Sequence, residues 1–179
     1  KRVVVVGYRK DLGVRFEFPP PTHGTNANPW QTLKDEIGSL PPAVPAKEKN
    51  KANDELKVPN HEYMNGGFST IYMSRNRRRC WGEQSFTIQA GGRHAPLHPD
   101  SSRMVKIGED KWKFEGENAK YRRLSVREAA RVQTFPDSFI FHYTNIADGY
   151  KMIGNAVPVK MAQAIAEKIK SDLNNMPAR

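Results

Sequence analysis

The chain has 179 residues, and its 29 Lys and Arg against 19 Asp and Glu give a formal net charge of +10. That length suits one ordinary domain or two small ones, the 37% hydrophobic content keeps the core modest, and the cationic excess suits a polyanion, either nucleic acid or an acidic membrane surface. No apolar run approaches the roughly 20 residues of a membrane span, no signal-peptide pattern opens the sequence, and the single cysteine, Cys80, leaves neither an internal disulfide nor a cysteine-rich zinc site. The expectation is a soluble, cytoplasmic protein.

The sequence opens at Lys rather than Met, directly in the β-branched run Val3-Val4-Val5-Val6. Such runs suit strands buried on both faces of a parallel α/β sheet. Two readings fit it: a strand pairing with this chain's own later hairpins, or a strand whose sheet lies on polypeptide outside these residues. A turn at Asp11-Leu12-Gly13 and a second extended stretch follow, ended by Pro19-Pro20-Pro21. Asn28-Pro29 predicts a short helix, with Asn as N-cap, Pro at the first helical position and Gly38 at the stop. Trp30, Leu33 and Ile37 would share its inner face. Residues 41–60, rich in Pro, Lys, Asn and Glu, predict a mobile linker.

Residues 61–105 predict a small irregular β-rich region, with strands at Phe68–Met73 and Ser85–Ala90. Ser125-Val126-Arg127-Glu128 is a capping box, with Ser at the cap and Glu three residues on. It starts a helix over about 126–134 that ends before Pro136. A last helix begins near Pro158, where Ala162, Ile165, Ala166, Ile169 and Leu173 form one apolar stripe expected to dock on a core.

The arginines carry the chemistry. Arg75, Arg77, Arg78, Arg79 and Arg93 flank the two predicted strands, with Gly91 and Gly92 beside the last. The planar fork of Arg donates two hydrogen bonds to O6 and N7 of guanine in the major groove, and neighbouring glycines let a loop approach a duplex closely. On composition alone a solvated charge run fits better. In an alternating segment, 75, 77 and 79 would face one side and 76 and 78 the other, so some arginines would meet bases and others phosphates, and only base contacts specify sequence. His94 and His98 have a metal-like spacing, but Pro96 lies between them and breaks any shared helix face. Cys80 sits among arginines, which favour a thiolate, yet it has no paired base. Gly154-Asn155-Ala156-Val157-Pro158 is suited to close ligand approach at a helix start, as it is to a plain helix cap.

Taken in order, these segments resemble the cytosine-5 DNA methyltransferases. Arg2-Val3-Val4-Val5-Val6-Gly7-Tyr8-Arg9 is similar to the end of the family's eighth motif. Arg122 through Pro136 is similar to the ninth, which shapes the recognition domain. Tyr150-Lys151-Met152-Ile153-Gly154-Asn155-Ala156-Val157-Pro158 is similar to the tenth, which helps form the S-adenosylmethionine pocket. The stretches Pro59–Tyr63, Met73–Arg77, Phe86–Ala90 with Gly92-Arg93, and Leu97-His98-Pro99 resemble the family's GGCC-modifying members.

The resemblance implies an α+β fold class. An irregular β-rich target recognition domain would join a strand and C-terminal helix belonging to an α/β S-adenosylmethionine-dependent methyltransferase fold, completed by a further segment or partner chain. It divides the chain into 1–18 (end of the catalytic sheet), 19–121 (recognition domain, linker near 41–60) and 122–179 (motifs nine and ten with the last helix). It implies guanine reading by Arg75, Arg77 and Arg93, further DNA contacts from Arg78, Arg79 and Thr87, and a contact from Arg2 to the flipped cytosine. Cofactor contacts would come from Asn155 and Ala156, with no metal. The family's Gly-rich cofactor loop, Pro-Cys nucleophile motif and Glu-Asn motif do not occur in these residues, and Cys80 follows Arg79 rather than proline. The expected partners are double-stranded DNA and a catalytic half; the expected setting is a restriction-modification system in the bacterial cytoplasm, acting at the nucleoid. The chain alone is expected to be inactive. The alternative is a stand-alone, sequence-specific DNA-binding module without enzymatic activity. An RNA-binding protein fits less well, because the aromatics available for stacking are scattered.

Overall fold

The computed structural model describes residues 3–175. It divides into two compact units, one of residues up to Pro29 with those from Val157 onward, the other of Trp30–Ala156. The fold class is α+β: four α-helices and two small, open two-stranded sheets among the described residues.

In the larger unit, α1 (Leu33–Ile37) starts four residues later than Asn28 predicts. Its cap is Thr32, whose backbone N–H donates to Asp35 Oδ2 at 2.8 Å while its hydroxyl accepts from the Asp35 N–H. That reciprocal pair outcompetes a start at Pro29, so Trp30 stays outside the helix and exposed, while Leu33 and Ile37 are buried. Gly38 ends the helix as expected.

Residues 41–60 are tied down rather than free. Strand β1 (Val44–Pro45) pairs in parallel with β2 (Glu62–Tyr63), Ala46 is buried, and the Ala52 N–H donates to Thr144 O at 3.0 Å. The low apolar content hid this, because the anchoring is by backbone and by polar side chains such as Asn65, which donates to Ala46 O at 2.8 Å.

The strands expected at 68–73 and 85–90 are not formed. The first contains a 3-10 turn, Tyr72–Ser74, and the second is irregular. The regular hairpin of this region lies further on, where β3 (Met104–Gly108) and β4 (Lys111–Phe114) pair antiparallel with Met104 opposite Phe114. Val3–Val6 also forms no strand, and Val3 and Val5 are almost fully exposed. A β-branched run joins a ladder only where a neighbouring strand supplies the bonds, and none does so among the described residues.

The capping box appears as predicted. Helix α2 (Val126–Val132) starts at Ser125, whose hydroxyl accepts from the Glu128 N–H at 3.0 Å while Glu128 Oε2 accepts from the Ser125 N–H at 2.7 Å. Helix α3 (Ile146–Asn155), capped by Asn145, contains what the sequence suggested was the approach to the last helix. Leu33, Ile37, Val126, Ala129, Ala130, Ile146, Tyr150 and Ile153 form the main core, while Tyr72, Leu97 and Met104 centre a second, smaller one with Phe68, Trp112 and Phe114.

In the other unit, α4 (Val159–Asn174) buries no residue. Among the described residues its stripe is not docked on a core: Ile165 and Ile169 are half-buried, while Ala162, Ala166 and Leu173 are exposed. Asp172 joins the helix to the first segment by accepting from Tyr8 Oη at 2.8 Å, and it also pairs with Lys168.

Candidate functional site

The site is built on the start of α2. Arg122 grips Glu128 with both ends of its fork, at 2.7 and 2.8 Å. Burial pushes the Glu128 carboxyl up, but the Arg122 hydrogen bonds and charge, with help from His98, hold it below the usual range. His98 Nε2 lies 3.7 Å from the same carboxylate; burial is the main reason its pKa lies below 6.5. Arg127 is fully buried, and its guanidinium donates to Pro59 O, Pro136 O and Phe139 O at 2.9–3.3 Å and to Asn60 Oδ1 at 3.4 Å. It therefore ties two loops to one helix.

This platform holds the arginine segment. The Leu97 N–H donates to Arg77 O at 2.9 Å, and Leu97 bridges to Arg123 on its other side. Residues 95–99 thus run between the arginine segment and the approach to α2. Their burial is continuous from Ala95 to Pro99, which explains why a Pro-containing stretch without a strand pattern is fixed in place.

The five arginines divide by environment. Arg75 and Arg93 are exposed and make no hydrogen bond or ion pair among the described residues. Arg77 is buried, with Nε donating to Tyr72 O at 3.0 Å and Nη2 to Ile71 O at 3.2 Å. Arg78 donates from Nε to Pro99 O at 3.0 Å. Arg79 pairs with Glu83 at 2.9 Å and lies 4.3 Å over the Phe86 ring. Alternation along a strand does not describe this division, because the segment is an irregular loop.

A cleft of about 180 Å³ opens beside this loop, lined by Arg75, Asn76, Arg77, Phe86, Thr87, Gln89, His94 and Pro96. It brings together Arg75, Arg77 and Thr87 from the sequence prediction and adds Asn76, Gln89 and His94, which the sequence reading did not assign. Gln89 and Thr87 are exposed. Side chains of these types read base edges: Asn and Gln suit adenine, Arg suits guanine, and Thr serves several. The only signal for Gln89 was its position in the Phe86–Ala90 stretch.

Asn155 is exposed at the end of α3, and its side chain makes no hydrogen bond among the described residues. Ala156 caps the helix through its N–H, which bonds to Met152 O and Ile153 O. Gly154 permits the helix to touch the cleft wall: a methyl there would come closer than 3.0 Å to backbone atoms of Ala90 and Gln89. A free amide beside a small residue suits one edge of a polar cofactor's pocket. Arg2 lies outside the described residues. Cys80 is exposed, with Arg78 Nη1 3.5 Å from its sulfur and its N–H donated to Glu83. Among the described residues no cluster of His, Cys, Asp and Glu is arranged to hold a metal, and no helix is long and apolar enough to cross a membrane.

The family described as C-5 cytosine-specific DNA methylase matches residues 1–171. The type II methyltransferase M.MthTI of Methanothermobacter thermautotrophicus is 61% identical over 98% of this chain and 52% of its own. M.FnuDI of Fusobacterium nucleatum is 51% identical over 98% of this chain and 51% of its own, and M.BsuRI of Bacillus subtilis is 47% identical over 94% and 38%. The chain spans about half the length of the curated relatives it matches.

Proposed function

The chain belongs to the C-5 cytosine-specific DNA methylases, and from that premise we propose that it supplies the target-reading and C-terminal portion of a cytosine-5 DNA methyltransferase of a restriction-modification system, acting on a GGCC-containing site in the cytoplasm. The observation that carries this reading is the polar cleft lined by the exposed Arg75, together with the free guanidinium of Arg93.

Arg75 and Arg93 read guanine. Arg77, with two nitrogens committed to carbonyls, presents its remaining donors to the cleft, and Thr87 contacts the duplex beside them. Arg78 and Arg79 add phosphate contacts at the edge of the loop. Extruding a cytosine from the stack costs a few kcal/mol, and these contacts to the remaining duplex offset it. Arg2 approaches the extruded base. Asn155 and Ala156 form one edge of the S-adenosylmethionine pocket; the cofactor supplies the methyl group. The nucleophilic cysteine lies on polypeptide outside these 179 residues, since Cys80 sits in the recognition loop and bonds to Arg78 and Glu83. Functionally the chain divides near residues 18 and 121, with the recognition part between.

Binding of GGCC duplex against a scrambled duplex, at several salt concentrations, tests the reading. The expected result is a preference for GGCC at every salt, with overall affinity falling steeply as salt rises because phosphate contacts release counterions. Equal affinity for both duplexes sinks it.

A further inference from the structure

Two buried cations meet at one aromatic ring in the smaller core. Tyr72 has no exposed surface. The Arg77 guanidinium lies 4.8 Å from its ring centroid and the Arg123 guanidinium 5.4 Å. Arg123 also lies 4.3 Å over Phe68, which stacks on Tyr72 at 4.5 Å. Neither arginine faces a carboxylate in an ion pair among the described residues. Arg123 donates instead to Gly66 O and Gly67 O at 3.1 and 2.9 Å, and Arg77 to the carbonyls of Ile71 and Tyr72. The Tyr72 hydroxyl donates to Ala95 O at 2.9 Å.

Burying charge without a counter-charge is costly, and apolar side chains of similar size would stabilise a core as well or better. The arrangement makes sense where the cations' positions matter more than the core's stability. Arg77 is two residues from Arg75, and both line the cleft. Arg123 precedes the α2 platform, on the far side of Leu97. The Tyr72 ring therefore connects the rigid platform to the loop that presents Arg75.

We infer that Tyr72 is a positioning residue for DNA reading: its ring, within cation–π range of both Arg123 and Arg77, sets the conformation of loop 75–77 and so the aim of Arg75 at guanine. This rests on the proposed GGCC reading. The ring carries the effect and the hydroxyl is secondary, so phenylalanine substitutes for Tyr72 and an aliphatic residue of similar bulk does not.

The test compares Tyr72→Phe, Tyr72→Leu, Arg123→Lys and Arg75→Ala in the complete enzyme containing this chain. The quantity read is the ratio of affinities for GGCC duplex and for a duplex with one guanine replaced. A loss of folded protein lowers both affinities together and leaves this ratio unchanged, so a merely structural role does not move it. Tyr72→Phe is expected to keep the wild-type ratio. Tyr72→Leu is expected to lower it about tenfold, within the range of one lost arginine–guanine fork, while affinity for the altered duplex, set by phosphate contacts, stays within about twofold. Arg123→Lys, which keeps charge but loses the planar fork, is expected to lower the ratio in the same direction. A wild-type ratio in both Tyr72→Leu and Arg123→Lys, with the ratio lost in Arg75→Ala, overturns the inference and leaves the GGCC reading standing. A ratio unchanged in Arg75→Ala, or no preference in the wild type, overturns both.

Discussion

Replacing Gly154 by alanine sets two effects of opposite sign against each other. Gly154 lies inside α3, and in an ordinary helix interior alanine is favoured over glycine by about 1 kcal/mol. On helix propensity alone the variant would be more stable. Here the added methyl would sit within 3.0 Å of backbone atoms of Ala90 and Gln89. Backbone cannot rotate aside as a flexible side chain can, so α3 and the 89–90 segment must separate. Overpacking of this kind typically costs about 1–3 kcal/mol, and a clash with main chain belongs at the upper end. The net expectation is destabilisation by about 2 kcal/mol, which for a protein of this size lowers Tm by roughly 4–8 °C. Urea unfolding, read by the far-ultraviolet signal and by tryptophan fluorescence, measures it directly. Because Gln89 lines the cleft, discrimination between duplexes should fall as well. An alanine variant as stable as the wild type, or more so, would refute the close approach of α3 to the cleft wall.

Other outcomes follow from the same geometry. Arg127→Met removes a fully buried guanidinium and the part-buried hydrogen bonds by which it holds Pro59 O, Pro136 O and Phe139 O to α2; a hydrogen bond to a charged group contributes about 1.5–3 kcal/mol, so the variant is expected to unfold at markedly lower urea, and an unchanged midpoint would contradict the role given to Arg127. His98 and Glu128 both have pKa values held below their ordinary 6.5 and 4.5, so each contributes stability that is present above that ordinary value and is lost as pH falls through the folded value. Stability should therefore begin to fall below about pH 6.5 through His98 and fall again below about pH 4.5 through Glu128. In His98→Gln the upper part of that decline should vanish, as denaturant titrations across pH would reveal. Arg75→Ala and Arg93→Ala should each reduce preference for GGCC by about 1–3 kcal/mol, measured by competition binding, whereas Arg79→Ala should weaken all duplexes alike.

What the sequence revealed depended on whether the local chemistry was self-contained. The Ser125–Glu128 capping box and the Gly38 stop involve only neighbouring residues, and both were legible. Helix α3 was hidden because it carries Gly149 and Gly154, which propensity penalises. The structure uses both for close approach, since a methyl at Gly149 would meet the Tyr143 ring at 2.7 Å. The segments 68–73 and 85–90 have the composition of strands, but their partners are side chains and distant carbonyls, such as Tyr72 Oη with Ala95 O. The hairpin β3–β4 went unread although Lys111-Trp112-Lys113-Phe114 alternates; its turn is made by Asp110 at φ 47°, without the usual glycine. In the site, residue type pointed to Arg75, Arg77, Arg78, Arg79 and Arg93 alike, and Thr87 came only with the family resemblance. The burial of Arg77 and the presence of Gln89 and His94 in the same cleft depend on loop geometry that no periodicity encodes. The apolar character of Val3–Val6 and of the stripe on α4 is plain in the sequence, but among the described residues neither is buried.

The central claim is that this chain reads the target while another polypeptide segment carries the nucleophile. Transfer of labelled methyl groups from S-adenosylmethionine to GGCC duplex tests it most directly. The chain alone should transfer none, and adding the polypeptide that bears the Pro-Cys motif should yield label at C5 of cytosine within GGCC. Labelling by the isolated chain, or labelling by the reconstituted enzyme at sites unrelated to GGCC, would contradict it.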